Sequence, residues 1–300
     1  MKDQTKGMLF ILITVLLWST IEVVTKIVQN DVPTMTISFL RFTLGGLLLL
    51  PLSISGLRNG NSSSAGIKDW ITLVLLSILG ITITFSLFHK AIEWISASSV
   101  ATLVSMVPIF VAPIAFLFLK ERIGWVQVAG LLMGGVGMLL IYFSEEPHWR
   151  SVQGVLLMVV AVICFSIYSV LMKRLNQKMT ARVTTPLSLL IGGILTAPIT
   201  LIDGAPLFRT TTALGYLQLG WLAFIAVGVA YLLYFFGLEK AEAARGNSLI
   251  YLKPLLAGLL AWIFLSEDPS PARIASILLV SVSIYFVIKG PRVLKKESST

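Results

Sequence analysis

Long apolar stretches separated by short polar ones recur along the whole chain. A helix needs about 20 apolar residues to cross the hydrocarbon core of a bilayer. Ten stretches meet that length: 8–28, 33–53, 70–89, 97–119, 124–143, 153–173, 183–202, 214–236, 247–265 and 272–289. None alternates apolar and polar positions as a barrel strand does. The pattern predicts an all-α membrane protein with ten transmembrane helices. The connections are short, and the longest contains the polar run GLRNGNSSSAGIKDW. Lys2 and Lys6 precede the first stretch as in a signal peptide, but it continues through Glu22 and Lys26 without a small-x-small cleavage site. That predicts a retained first helix.

Composition agrees with this picture. Hydrophobic residues make up 56% of the 300 and charged residues 12%, against roughly 25% charged in soluble domains. Thirty-seven charges cannot coat a soluble body of this length. A single cysteine, Cys164, excludes an intrachain disulfide, and two separated histidines, His89 and His148, argue against a histidine metal site. No cofactor is expected. The ATP-binding pattern GxxxxGK[ST] is absent, as are HExxH, GxSxG and CxxC. Driving force must then come from a gradient, from exchange or from the solute, and catalysis is not expected.

The net charge of +9 reads as orientation charge on loops rather than as a nucleic-acid surface. With the N-terminus inside, sixteen Lys and Arg fall in inner segments and five in outer ones, leaving Arg41 and Lys253 within spans. The asymmetry predicts a multi-pass plasma-membrane protein with both termini cytoplasmic. The basic tail VLKKES suits anionic lipid.

The chain also repeats itself. At an offset of 146, residues 91–121 lie without gaps on 237–267, and eight of 31 positions are identical. The matches include Glu93 with Glu239, Pro108 with Pro254 and Glu121 with Glu267. At an offset of 147 the first span lies on the sixth, pairing Ser19 with Ser166 and Lys26 with Lys173. Five spans per half is an odd number, so the halves enter the membrane from opposite sides. The predicted organisation is a five-helix repeat at 1–147 and an inverted one at 148–300. Secondary transporters use such halves to face each side in turn.

These residues carry a family resemblance. The ten spans, the AxExxSA…P…FLxE stretch and CFSIYSVLMKRL in the sixth span resemble the drug/metabolite transporter superfamily, specifically its ten-helix EamA-type family. LFLKERIG (117–124) follows the family pattern, whereas LSEDPSPAR (265–273) departs from it. The resemblance implies a plasma-membrane carrier of small metabolites, often an exporter of amino acids or related compounds.

Ionisable groups inside spans are costly and mark function. Lys253 lies seven residues into the ninth span beside Pro254, which frees a carbonyl at similar depth. It either faces a site or snorkels to the headgroups. Glu22 either serves a site or pairs with Lys26 four residues on. Arg41, at matching depth in the second span, either pairs with Glu22 or holds a carboxylate bidentately. Trp18, Ser19, Tyr168, Tyr231, Tyr234, Asn247 and Tyr251 complete the substrate-binding candidates. Trp70, Trp94, Trp125, Trp149 and Trp221 read as interface anchors.

Gly130 and Gly134 suit close packing, whereas the equivalent pairs Gly45-Gly46 and Gly192-Gly193 suit packing or hinging. Glu121 is expected to pair locally with Lys120 or Arg122. The reading is a non-ATP carrier of small polar, amino-acid-like metabolites working by alternating access. Proton or solute counter-transport is possible, lipid is its surroundings, and no nucleic acid is involved. Export of hydrophobic cations is the alternative, and an intramembrane enzyme or scramblase a remoter one.

Overall fold

The computed structural model describes residues 2–60, 62, 64–121, 123–143, 149–209 and 211–266, with nine further positions between 271 and 287. Every described element is helical. Eight segments are long and apolar enough to cross a membrane, and a shorter apolar stretch, Trp125–Gly137, joins them. The protein is therefore a multi-pass membrane protein. The tenth expected span, 272–289, lies largely outside the described residues.

Several expected spans are not single helices. The first divides into α1 (Lys2–Trp18) and α2 (Ile21–Val28). Ser19 Oγ donates to the Val15 carbonyl at 2.7 Å and Thr20 Oγ1 to that of Leu17 at 2.8 Å. Such back-bonding diverts carbonyls from the helix ladder and bends it.

After α3 (Thr34–Arg58), the third span runs as α4 (Ile67–Ser77), a π-helical stretch (Ile78–Ile83) and α5 (Thr84–Ile92). The fourth divides into α6 (Ala97–Val104) and α7 (Val107–Leu119). Pro108, at the start of α7, has no N–H to continue α6.

The chain continues through α8 (Trp125–Phe143), α9 (Trp149–Leu175) and α10 (Ala181–Ile202). The next span is α11 (Ala213–Gly220), a π-helical stretch (Trp221–Val229) and α12 (Ala230–Lys240). The last fully described span is α13 (Ala243–Ser248), a 3₁₀ turn (Leu249–Leu252) and α14 (Lys253–Leu265). Pro254 stands where Pro108 stands in α7.

Contacts recur in pairs at the offset seen in the sequence. A Cβ added at Gly46 would lie 2.5 Å from the Leu190 nitrogen, and one at Gly193 2.5 Å from the Thr43 nitrogen. Adding 147 to the first-half residue of either contact and subtracting it from the second-half one gives the other. These two glycines let α3 and α10 cross backbone to backbone. Ser53 Oγ donates to the Arg182 carbonyl at 3.5 Å, and Thr200 Oγ1 to that of Met35 at 3.3 Å, again one contact and its image. Glu93 Oε1 accepts from Thr34 Oγ1 at 2.5 Å, as Glu239 Oε1 accepts from the Ala181 N–H at 2.6 Å. Lys120 and Ser266 end α7 and α14 in the same left-handed conformation, with φ of 55° and 56°.

Two local expectations are corrected. Glu121 pairs with Lys173 at 2.6 Å rather than with Lys120, and Arg122 lies outside the described residues. It also accepts from the Ala243 N–H at 2.9 Å, so it caps α13, whose N-terminal end favours a carboxylate. Trp221 is not at a span end: it opens the π-helical stretch and donates Nε1–H to Thr20 Oγ1 at 2.9 Å. Gly130 and Gly134 do pack closely, against Ser283, Val287 and Tyr251.

Candidate substrate-binding site

The interruptions converge, because α2, α6 and α14 pack together. Glu22 is the second residue of α2 and Lys253 the first of α14. Both are buried, at 0% and 3% exposure. Lys253 Nζ donates to Glu22 Oε1. This places Lys253 inside the bundle, not snorkelling, and gives Glu22 a partner 231 residues away. A helix N-terminus favours a carboxylate and disfavours a cation. Glu22 therefore suits its position, and Lys253 gains most from the pair. Desolvating each ion costs several kcal/mol, so neither would remain buried and charged alone.

The carbonyl expected to be freed by Pro254 is that of Ile250. It accepts from the Lys253 N–H and, at 3.2 Å, from Ser105 Oγ of the fourth span. It serves as a joint between the two broken spans rather than as an open acceptor.

Beside the ion pair lies a small cavity of about 50 Å³. Its walls are mainly aromatic and aliphatic: Trp18, Phe85, Phe88, Phe165 and Tyr231 with Met158 and Val162. Lys253 is the charged group on its wall. Trp18 Nε1 and the Tyr231 hydroxyl are buried and have no protein partner. Apolar walls with a few placed polar groups are the usual form of a small-molecule site.

Several wall residues are repeat partners. Trp18 and Phe165 differ by 147 positions, as do Thr84 and Tyr231; Val104 and Ile250 differ by 146, as do Val107 and Lys253. The rest of the wall breaks this symmetry. Met158, Ala161 and Val162 of α9 face the cavity. They are themselves buried, as are their equivalents Ile11, Thr14 and Val15 of α1, which do not line it. Thr14 Oγ1 there donates to the Ala230 carbonyl at 3.0 Å, and Gly7 abuts the Gly237 carbonyl. The cavity thus runs along α5 and α9, while the equivalent α1–α12 seam is packed shut.

Arg41 does not hydrogen-bond to Glu22, contrary to one of the two sequence readings. It is 1% exposed, and none of its three guanidinium nitrogens has a hydrogen-bond partner. Its Cζ lies 4.7, 5.0 and 5.6 Å from the ring centroids of Phe42, Phe85 and Phe88. Desolvated cation–π contacts are worth about 2 kcal/mol each, yet they satisfy none of the N–H donors. Each buried donor left unmade costs about 1–3 kcal/mol.

The remaining candidates lie behind the wall or away from it. Tyr234 stacks on Trp18 at 4.9 Å and donates to Asn247 Oδ1 at 2.7 Å. Asn247 Nδ2 donates to the Ala243 carbonyl at 2.9 Å. Tyr168 pairs with Ser188 Oγ at 3.0 Å and packs its ring against Gly80. Ser19 bonds within its own helix. Tyr251 points to a separate cluster and donates to the Leu131 carbonyl at 3.1 Å. Sequence reasoning overlooked Phe85, Phe88, Phe165 and Thr84. Applying the offset of 147 to Trp18 and Tyr231 names Phe165 and Thr84, and applying that of 146 to Tyr231 and Tyr234 names Phe85 and Phe88.

Known proteins resemble this chain along nearly its whole length. An uncharacterized transporter of Clostridium kluyveri is 25% identical over 98% of both chains. Another from Archaeoglobus fulgidus is 25% identical over 95% of this chain and 99% of its own. A chloroplastic WAT1-related protein of Arabidopsis thaliana is 24% identical over 90% of this chain and 66% of its own. A protein of known crystal structure superimposes with a TM-score of 0.77 at 22% identity, covering 94% of this chain and 96% of that one, and has the same fold. The profile of the EamA-like transporter family matches twice, at residues 5–143 and 152–289. The chain belongs to the EamA-like transporter family.

Proposed function

We propose that this membrane transporter is a secondary carrier that exports small polar, amino-acid-like metabolites by alternating access. In this reading it has ten spans, arranged as inverted halves at residues 1–147 and 148–300. It sits in the plasma membrane with both termini cytoplasmic. The cavity carries the reading: its wall includes four repeat-related pairs, yet it extends along α5 and α9 while the equivalent α1–α12 seam is closed. A cavity along one of two equivalent seams fits an exchange between two facing states. With the N-terminus inside, the seam that carries the cavity is the outer one. Opening α1 from α12 while closing α9 on α5 would present the same wall to the cytoplasm.

The broken spans support a moving centre, since interrupted helices at membrane depth line solute sites. The Glu22–Lys253 pair is suited to break and re-form as the half-helices shift, with a proton or a second solute as the coupled species. The alternative solute class, hydrophobic cations, gains from the aromatic walls. It loses from the engagement of Glu22 by Lys253.

The test is counterflow in proteoliposomes loaded with single amino acids, organic acids or lipophilic cations. Accumulation of a labelled amino-acid-like solute against the same solute inside supports the reading. Counterflow of lipophilic cations alone would replace it with the alternative.

A further inference from the structure

The three ionised groups around the centre do not balance. Lys253 and Glu22 neutralise each other through their hydrogen bond. Arg41 remains as a buried cation with unpaired donors. It is within electrostatic reach of Glu22, of the Tyr231 hydroxyl and of His89. The charge of Glu22 is met by Lys253 at Oε1, while its Oε2 is buried without a hydrogen-bond partner. His89 Nδ1 donates to the Phe85 carbonyl at 2.9 Å, and its Nε2 has no partner. It therefore offers Arg41 no counter-charge. The Tyr231 hydroxyl is buried without a partner and belongs to the cavity wall. Phe85 and Phe88 touch both the guanidinium and the cavity.

An arginine fork matches the two oxygens of a carboxylate, and the Phe42 and Phe85 rings that hold the guanidinium also pack against the Tyr231 ring, at 6.0 and 6.3 Å between centroids. A guanidinium cannot discharge itself by losing a proton, so a bound anion is what completes this corner. The cavity wall is apolar and carries no carboxylate for an ammonium group.

We infer that Arg41 and the Tyr231 hydroxyl form the subsite for the solute's carboxylate, and that the substrates are carboxylic acids with an apolar body in which an amino group is dispensable. This deepens the carrier reading and rests on it only for the word substrate, since the subsite is a binding property.

The experiment uses the full-length protein in lipid nanodiscs. Calorimetry or tryptophan fluorescence measures binding of 3-phenylpropionate, phenylalanine, 3-phenylpropionamide and phenethylamine. A second pair, 4-methylpentanoate and its amide, varies the body. The acids bind about tenfold or more tightly than their amides, and 3-phenylpropionate binds at least as well as phenylalanine. Arg41→Gln removes the preference for acid over amide, Arg41→Lys keeps part of it, and Tyr231→Phe weakens it.

Equal binding of acid and amide, absence of acid binding across the panel, or a preference that survives Arg41→Gln overturns the inference. Sodium chloride alone giving the same Arg41-dependent stabilisation would make this an inorganic-anion site and also overturn it. Failure of the carrier reading looks different: acids bind through Arg41, but no solute shows counterflow.

Discussion

The hydrogen bond from Lys253 to Glu22 ties the first residue of α14 to the first turn of α2, joining two interrupted spans across the centre of the bundle. Removing one partner leaves an uncompensated buried charge, which costs about 3–5 kcal/mol. Glu22→Gln and Lys253→Met should each lower the melting temperature in detergent, and the double variant should recover most of the loss. Single variants as stable as the parent would mean that the pair is not buried as described. Both single variants should also lose counterflow, since each alters the joint between α2 and α14.

The α3–α10 crossing makes a sharper packing prediction. A methyl at Gly46 or Gly193 meets backbone nitrogen at 2.5 Å, where no side chain can swing away. Gly46→Ala and Gly193→Ala should each destabilise by about 1–3 kcal/mol. Gly220, which ends α11 with open space around it, is the control. Gly220→Ala should be neutral or stabilising by up to about 1 kcal/mol. Thermal melts of the three variants separate a tight crossing from a general intolerance of alanine.

Glu121 supplies the cap that starts α13, as well as the partner of Lys173. Loss of an N-terminal cap costs about 0.5–2 kcal/mol, and a half-buried Lys173 left unpaired adds to it. Glu121→Ala should therefore melt below the parent by more than Lys178→Ala, which removes an exposed pair with Asp69. Equal effects would contradict the capping role.

Tyr251 tests the boundary of the site. Its hydroxyl serves the Leu131 carbonyl, outside the cavity wall. Tyr251→Phe should cost about 1 kcal/mol of stability and leave solute affinity unchanged. Tyr231→Phe should do the reverse, because that hydroxyl has no protein partner to lose. An affinity change in Tyr251→Phe would extend the site beyond the wall described.

Much of the fold was legible because burial in lipid writes itself as long apolar runs. The repeat was legible because paired Pro and Glu landmarks kept one register. An offset of 146 aligns Pro108 with Pro254, and one of 147 relates the Gly46–Leu190 and Gly193–Thr43 contacts. The interruptions were half legible. Pro108 and Pro254 announce theirs, but Ser19-Thr20 breaks one span through hydroxyl back-bonding, while Ser166 makes the same bond inside the unbroken α9.

The partner of Glu22 was not legible. Local spacing favours Lys26, and only the tertiary approach of α14 to α2 brings Lys253 within reach. Phe85 and Phe88 were legible only through the repeat, 146 positions before Tyr231 and Tyr234, because in an apolar helix a phenylalanine facing a cavity looks like one facing lipid. Tyr251 and Tyr168 were named for their chemistry, and the fold turns their hydroxyls to Leu131 and Ser188 instead.

The most direct test of alternating access compares one position on each seam. Met158 faces the cavity, and its repeat equivalent Ile11 is packed against the α12 side. With Cys164 replaced by serine, Met158→Cys and Ile11→Cys are each probed with a membrane-impermeant maleimide from either side of oriented vesicles. The account predicts labelling of position 158 from the outer side only and of position 11 from the inner side only, with a transported solute raising one rate as it lowers the other. Labelling of both positions from one side, or rates that do not move in opposition, would contradict it.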